Sequence, residues 1–177
     1  MSNIPSWSQY FLDMIKLIKA RSIDRSNQVG CVIVGNGNSV LSLGYNGFPR
    51  GVNDTEARHD RPLKYKLIEH AERNAIYNAV RNGVCLLDSR IYVDVWPCTD
   101  CSRAIIQSGI SKIIMDGRQY SNFLNIWGSR WGDDFDIAHE MLFEAGVECV
   151  IWSSVLDLNS NIKNVNHTNW RDYKDLV

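Results

Sequence analysis

No run of 18 apolar residues occurs anywhere in the 177-residue chain, so the sequence offers no segment that reads as a membrane-spanning helix. Its first residues, Met1 to Pro5, lack the charged-then-apolar layout of a secretory signal. Nor is there an excess of charge of either sign. Nineteen basic and 20 acidic side chains leave a formal net charge of −1. That balance lacks the basic face needed to displace counterions from a nucleic-acid backbone. A small anion is still within reach, because two or three local cations hold one phosphate. Disulfide-framework arithmetic is missing too: the five cysteines, at 31, 85, 98, 101 and 149, are odd in number, which points to a reducing cytoplasm. Internal repeats and low-complexity linkers are absent. What is present is 45% apolar residues, enough for the core of one domain.

The hydrophobic pattern predicts a helix from Trp7 to about Ala20, capped by Ser6, with Trp7, Tyr10, Phe11, Met14, Ile15 and Ile18 recurring at helical period. Val29 to Val34 and Val40 to Leu43 read as a hairpin around Gly35-Asn36-Gly37-Asn38. Residues 46 to 68, rich in Gly, Pro, Asp and Arg, read as a long loop. There follow a helix from Ala71 to Val80, a strand from Ile91 to Val95, and a helix after Pro97 to about Ser108. A strand from Lys112 to Met115, a helix from about Asp136 to Glu144 and a strand from Glu148 to Trp152 complete the series. Strand–helix–strand alternation favours parallel pairing through right-handed crossovers. The expected architecture is α/β, a mixed five-stranded sheet between helices. One domain over residues 1–155 is followed by a polar, Asn-rich tail at 156–177 with no assigned structure. Asp116 to Trp131, with Trp127 and Trp131, reads as a loop that serves as a lid or subunit contact.

Three pieces carry chemistry: His70-Ala71-Glu72, Pro97-Cys98 and Cys101. Alone, Cys98-Thr99-Asp100-Cys101 fits a redox pair, half of a structural zinc site, or chance. A single His at a helix start is commonly a cap, and Glu72 in a first turn is favoured by the helix dipole. Jointly they say more. One imidazole and two thiolates suit zinc and leave a fourth position open, as a catalytic zinc requires. Pro97 suits a first helical turn, which puts Cys98 and Cys101 three apart at a helix N-terminus, where the dipole favours thiolates. His70 and Glu72, two apart, do not share a face within a regular helix and so sit at its mouth.

These residues match the H-x-E…P-C-x-x-C pattern of zinc nucleobase deaminases. His70 to Ile76 (HAERNAI) with Pro97 to Cys101 resembles the cytidine deaminase superfamily. Arg21-Ser22, Gln28-Val29-Gly30, Gly44 to Gly51 (GYNGFPRG) and Gln107 to Ile110 narrow the resemblance to deoxycytidylate (dCMP) deaminases, including the phage type, over about residues 8 to 151. That resemblance implies a three-layer α/β/α cytidine deaminase-like fold and hydrolysis of dCMP to dUMP and ammonia, supplying dTTP synthesis. It implies one catalytic Zn²⁺ per chain, held by His70, Cys98 and Cys101, with Glu72 as the proton carrier. The loop has only His59 and no Cys for a second zinc. A homo-hexamer activated by dCTP and inhibited by dTTP is also implied, with host cytoplasm as the location if the chain is phage-encoded.

Carried over residue by residue, Asn46 holds the sugar 3′-hydroxyl, Ala71 meets the base edge, and Tyr120 and Arg21 meet the 5′-phosphate. Asn74 lies in the same motif. A turn asparagine, a helix-end cation and a packing residue are the plainer readings of Asn46, Arg21 and Asn74. For a triphosphate effector with Mg²⁺, the candidates are Arg50, Asn53, Asp54 and Glu56, with Arg81 as a coupling residue; a solvated loop is the plainer alternative for the first four, and a partner of the helix C-terminal dipole for Arg81. Rival functions are deamination of free cytidine, guanine, a riboflavin precursor or tRNA adenosine, and a non-catalytic nucleotide-sensing zinc module. An unliganded acid beside the metal argues against the last. Neither a membrane nor a nucleic acid is an expected partner.

Overall fold

The computed structural model describes residues 4–152 and 162–164; within its longest helix the side chains of 118, 120–121, 123–124 and 126–130 lie outside the described residues. Six strands form one mixed sheet: β1 (Gly30–Val34), β2 (Val40–Tyr45), β3 (Arg90–Val93), β4 (Lys112–Asp116), β5 (Glu148–Trp152) and β6 (Ile162–Asn164). Their spatial order is β2-β1-β3-β4-β5-β6. β3, β4 and β5 are parallel to one another, and β1 is antiparallel to both β2 and β3. The five expected strands are all there. The sixth, antiparallel to β5, comes from the polar tail to which the sequence assigned no structure. Three polar-flanked residues are too short to show a period-2 pattern, so pairing with β5 rather than local sequence defines that strand.

Alternation along the strands sorts the core into two layers. Val32, Val34, Tyr92, Ile114 and Val150 face α1 (Trp7–Lys19), meeting its buried Phe11, Leu12 and Ile15. Cys31, Ile33, Ile91, Val93, Ile113, Met115, Cys149 and Ile151 face the other way, toward α3 (Ala71–Arg81), α4 (Thr99–Gln107) and α5 (Gly117–Glu144). The architecture is therefore three-layer α/β/α. Ser6 caps α1 by accepting the Gln9 N–H at 3.2 Å. In the hairpin, Gly37 and Asn38 take positive φ (73° and 64°), the conformation that Asn-Gly steps accommodate.

Three expectations are corrected. The long loop contains the short helix α2 (Leu63–Leu67) and a 3₁₀ turn at Glu56–His59, and Gly47 bridges to Glu69. Pro97 precedes the helix, with Cys98 as its N-cap, rather than lying in the first turn. The final helix begins at Gly117, not near Asp136, so Trp127 and Trp131 are helical residues. Gly117, Gly128 and Gly132, each unfavourable to a helix by about 1 kcal/mol relative to Ala, hid that helix from a pattern reading.

The helix that carries His70 and Glu72 lies unusually close to β2. A Cβ at Gly44 would collide with the Ala71 carbonyl oxygen and come within 2.5 Å of the Ala75 amide nitrogen. Ala71, Ala75 and Ala79 line the facing side of α3 and are fully buried. Only glycine permits this approach. Gly44→Ala is expected to destabilise by about 1–3 kcal/mol, the usual range for overpacking. Thermal denaturation followed by circular dichroism should show a Tm lower by several degrees, with Gly44→Val lower still; an unchanged Tm would show that α3 shifts freely.

Candidate metal centre and active site

Two helix starts meet over the C-terminal end of β3 and the adjacent N-terminal end of the antiparallel β1. His70 is the N-cap of α3 and Cys98 the N-cap of α4, both in extended backbone, with Cys101 one turn further into α4. Nδ1 of His70 lies 3.4 Å from Cys98 Sγ and 3.5 Å from Cys101 Sγ, and the three ligand atoms all fall within 4.8 Å of one another. Tetrahedral zinc with bonds of about 2.3 Å to sulfur and about 2.05 Å to nitrogen sets its S···N edges at about 3.5 Å. The donor set and its spacing therefore fit zinc. Among the described residues this is the only such group of three or more His, Cys, Asp or Glu ligands.

Proton affinities in the trio are strongly coupled. The hydrogen bond to Cys98 pushes His70 up to about 9 against the effect of burial. Cys98 falls to about 4, first through the hydrogen bond from Cys101 and then through His70. Cys101, donating to Cys98 and buried, is raised well above the ordinary thiol range. Glu72, the second residue of α3, is 3% exposed, and burial raises its carboxyl.

A cavity of about 140 Å³ opens beside this group. His70, Ala71, Glu72 and Cys98 lie in its wall, with Val29, Ile68, Val95, Trp96, Trp131 and Phe135 supplying apolar surface. The half-buried Trp131 therefore faces this cavity, not a free loop. Asp24, Ser26, Asn27, Asn46, Arg61, Lys64 and Tyr65 complete the lining.

Of the residues assigned by resemblance, Ala71 and Asn46 reach the cavity. Asn46, however, is hydrogen-bonded throughout: its Oδ1 accepts from Ser22 Oγ (2.7 Å) and the Val29 N–H (2.8 Å), while Nδ2 donates to the Asn27 carbonyl (2.8 Å) and Asp24 (3.3 Å). Those four bonds fold loop 22–29 into the cavity wall. Asn74 does not line the cavity; it ties α3 to the end of β2 by donating to the Tyr45 carbonyl at 2.8 Å. Arg21 is exposed and outside the lining. The side chain of Tyr120 lies outside the described residues. The effector candidates Arg50, Asn53, Asp54 and Glu56 are each engaged with a neighbouring residue. Arg50 hydrogen-bonds Asn78, Asn53 accepts from Arg58, Asp54 meets His59 at 2.5 Å, and Glu56 pairs with Arg25 at 2.5 and 2.8 Å. Arg81 stands exposed at the far end of α3.

Sequence reading missed the cavity's far wall. Lys64 and Asp24, each 6% exposed, form an ion pair at 2.5 Å, and Lys64 also donates to Ser26. Burial pushes the Asp24 carboxyl up, but hydrogen bonds from Lys64, Ser26 and Asn27 outweigh it and hold the group below its usual range. Arg61 lies over the Tyr65 ring at 5.6 Å and, among the described residues, has no ion pair. No local pattern links positions 24 and 64; a buried lysine is legible only once its aspartate partner is placed.

Comparison with known proteins now adds to this geometry. Residues 5–116 match the family described as the cytidine and deoxycytidylate deaminase zinc-binding region. An uncharacterized deaminase in the luxG 3′ region of Aliivibrio fischeri is 40% identical over 149 residues, covering 84% of this chain and 95% of that protein. A probable deoxycytidylate deaminase of Caenorhabditis elegans is 42% identical over 109 residues, 59% of this chain and 54% of that protein. The dCMP deaminase of cyanophage S-TIM5, solved with dCMP and dUMP, shares the fold: TM-score 0.63, 24% identity, 85% of this chain and 99% of that one. With the profile spanning well over half its length and a close relative aligned along most of the rest, this chain belongs to the family of cytidine and deoxycytidylate deaminases.

Proposed function

We propose that the chain hydrolyses dCMP to dUMP, with water supplying the new carbonyl oxygen and the 4-amino group leaving as ammonia. The observation that carries this reading is a buried carboxylate, Glu72, in the cavity wall beside His70 and Cys98, which converge with Cys101. Relatives named as deoxycytidylate deaminases support the choice of substrate.

His70 Nδ1 and the two cysteine sulfurs would hold zinc, which when bound lowers the pKa of a water to about 7 and so supplies a nucleophile at neutral pH. The remaining work falls to the chain itself. Glu72 is not needed as a ligand, so its carboxylate takes a proton from the attacking water and delivers it to N3 of the base, then takes the second proton from the new C4 hydroxyl and gives it to the amine, which leaves as ammonia while the carbonyl forms. The carboxyl suits both directions because burial raises its proton affinity toward the working pH. Trp96, Trp131, Phe135 and Val95 give a planar ring an apolar slot and exclude bulk water. The Lys64–Asp24 pair fixes the opposite wall.

Arg61 is, among the described residues, the lining Lys/Arg side chain without a carboxylate partner, and it is expected to meet the 5′-phosphate from within the cavity. A charge-assisted hydrogen bond contributes about 1.5–3 kcal/mol, or roughly 10- to 100-fold in kcat/KM. Loss of cytosine absorbance across dCMP, CMP, dCTP and deoxycytidine tests the reading: dCMP should give the highest kcat/KM. Arg61→Ala should lower kcat/KM for dCMP by that factor, chiefly through KM, and leave deoxycytidine unchanged. Deoxycytidine turning over as well as dCMP would defeat the substrate assignment.

A further inference from the structure

Between the two helix starts that carry the ligands lies one guanidinium. Arg73, 18% exposed, projects from the first turn of α3; its Nε donates to Oε1 of Glu69, and its Nη1 lies 3.1 Å from Oδ2 of Asp100. The two carboxylates occupy telling places. Glu69 immediately precedes His70, and the same Oε1 accepts the His70 backbone N–H at 3.1 Å. Asp100 stands between Cys98 and Cys101. One side chain therefore touches both halves of the ligand set without touching the ligand atoms.

We infer that Arg73 is a positioning residue for the metal centre, a tie that holds the His70 and Cys98–Cys101 elements at ligand distance from one another. The inference rests on the metal reading of those three residues and goes beyond it. An exposed ion pair would contribute little. Here the guanidinium is largely buried and anchored by an equally buried Glu69, its other arm reaches the half-exposed Asp100, and the planar fork so spans carboxylates from separate elements, a geometry that a lysine point charge cannot copy. The guanidinium also places a positive charge beside two sulfurs that must both be thiolates to bind metal. Groups behind the ligands commonly set metal affinity by 10- to 100-fold. An independent brace comes from α5, where Asp134 accepts from the Thr99 N–H (3.0 Å) and hydroxyl (2.7 Å). Loss of Arg73 thus loosens the α3–α4 register without releasing α4 from the domain.

The test compares zinc extraction from purified zinc-loaded protein by a chelator, alongside zinc stoichiometry and Tm of the chelator-stripped protein. Arg73→Met should weaken zinc affinity about 10- to 100-fold, and Arg73→Lys should recover only part of the loss. Asp100→Asn, at a half-exposed position where folding is not at stake, should reproduce much of the effect and add little on top of Arg73→Met. Arg103 also pairs with Asp100 but not with Glu69, so Arg103→Met should leave zinc affinity at the wild-type level. Zinc held by Arg73→Met and Asp100→Asn as tightly as by wild type would overturn the inference while leaving the metal reading intact. So would strictly additive effects of the two, or loss of affinity fully matched by a lower Tm of stripped protein. Wild-type protein that binds no zinc would bring down the metal reading first and the tie with it.

Discussion

Glu72→Gln is expected to lower kcat on dCMP by about 10²–10⁴-fold, the range associated with a positioned proton carrier, while zinc stays at one per chain. Glutamine keeps the size and cavity position of the side chain but cannot move a proton. Glu72 sits at 3% exposure, where burial opposes ionisation. A neutral isostere there removes a desolvation penalty, so the variant should melt no lower than wild type. That separates mechanism from folding. If turnover stayed within tenfold of wild type in a variant with full zinc content, another group would have to carry the proton. If zinc were lost with activity, Glu72 would belong among the ligands instead. The same variant distinguishes an enzyme from a nucleotide-sensing module, because only an enzyme has turnover to lose.

Much of this site was legible because its key residues are close in sequence. His70-Ala71-Glu72 spans one helix start and Cys98 to Cys101 another, and each short motif carries its own geometry. The strands of the parallel half were equally plain: residues such as Ile113-Ile114-Met115 and Val150-Ile151 are covered on both faces and read as continuous apolar runs. What stayed hidden depends on distant partners. Lys64 looks like a surface charge until Asp24, forty residues away, is seen beside it. The part Asn46 plays in folding loop 22–29 could not be read, because it requires four groups brought in from elsewhere. Trp131 looked exposed because glycines on either side masked the helix that turns it inward. Arg73, a routine first-turn residue by sequence, became informative only when α4 was packed against it.

The steepest dependence expected of this protein is that of zinc affinity on pH. In the metal-free protein, Cys98 is already a thiolate above about pH 4, since it accepts from Cys101 and His70 and sits at the N-terminus of α4 where the dipole favours negative charge. His70 keeps its proton up to about pH 9, and Cys101 keeps its own higher still. Zinc needs a neutral imidazole and two thiolates. Between about pH 5 and 8 each metal must therefore displace two protons, one from His70 and one from Cys101. Both groups have raised proton affinities, so acid competes with the metal: affinity falls as pH drops, by about 100-fold per unit for two displaced protons. Chelator competition at pH 6, 7 and 8 should give a slope near two in log Kd. Titration calorimetry in buffers of different ionisation enthalpy should count about two protons released per zinc. A flat profile would mean that the trio rests as a neutral imidazole and two thiolates, and that the 3.4 and 3.5 Å contacts to Nδ1 hold no shared proton. A slope near one would place a single proton on the cluster, and Cys101→Ser read in the same assay would identify its owner: a slope unchanged by the substitution assigns it to His70.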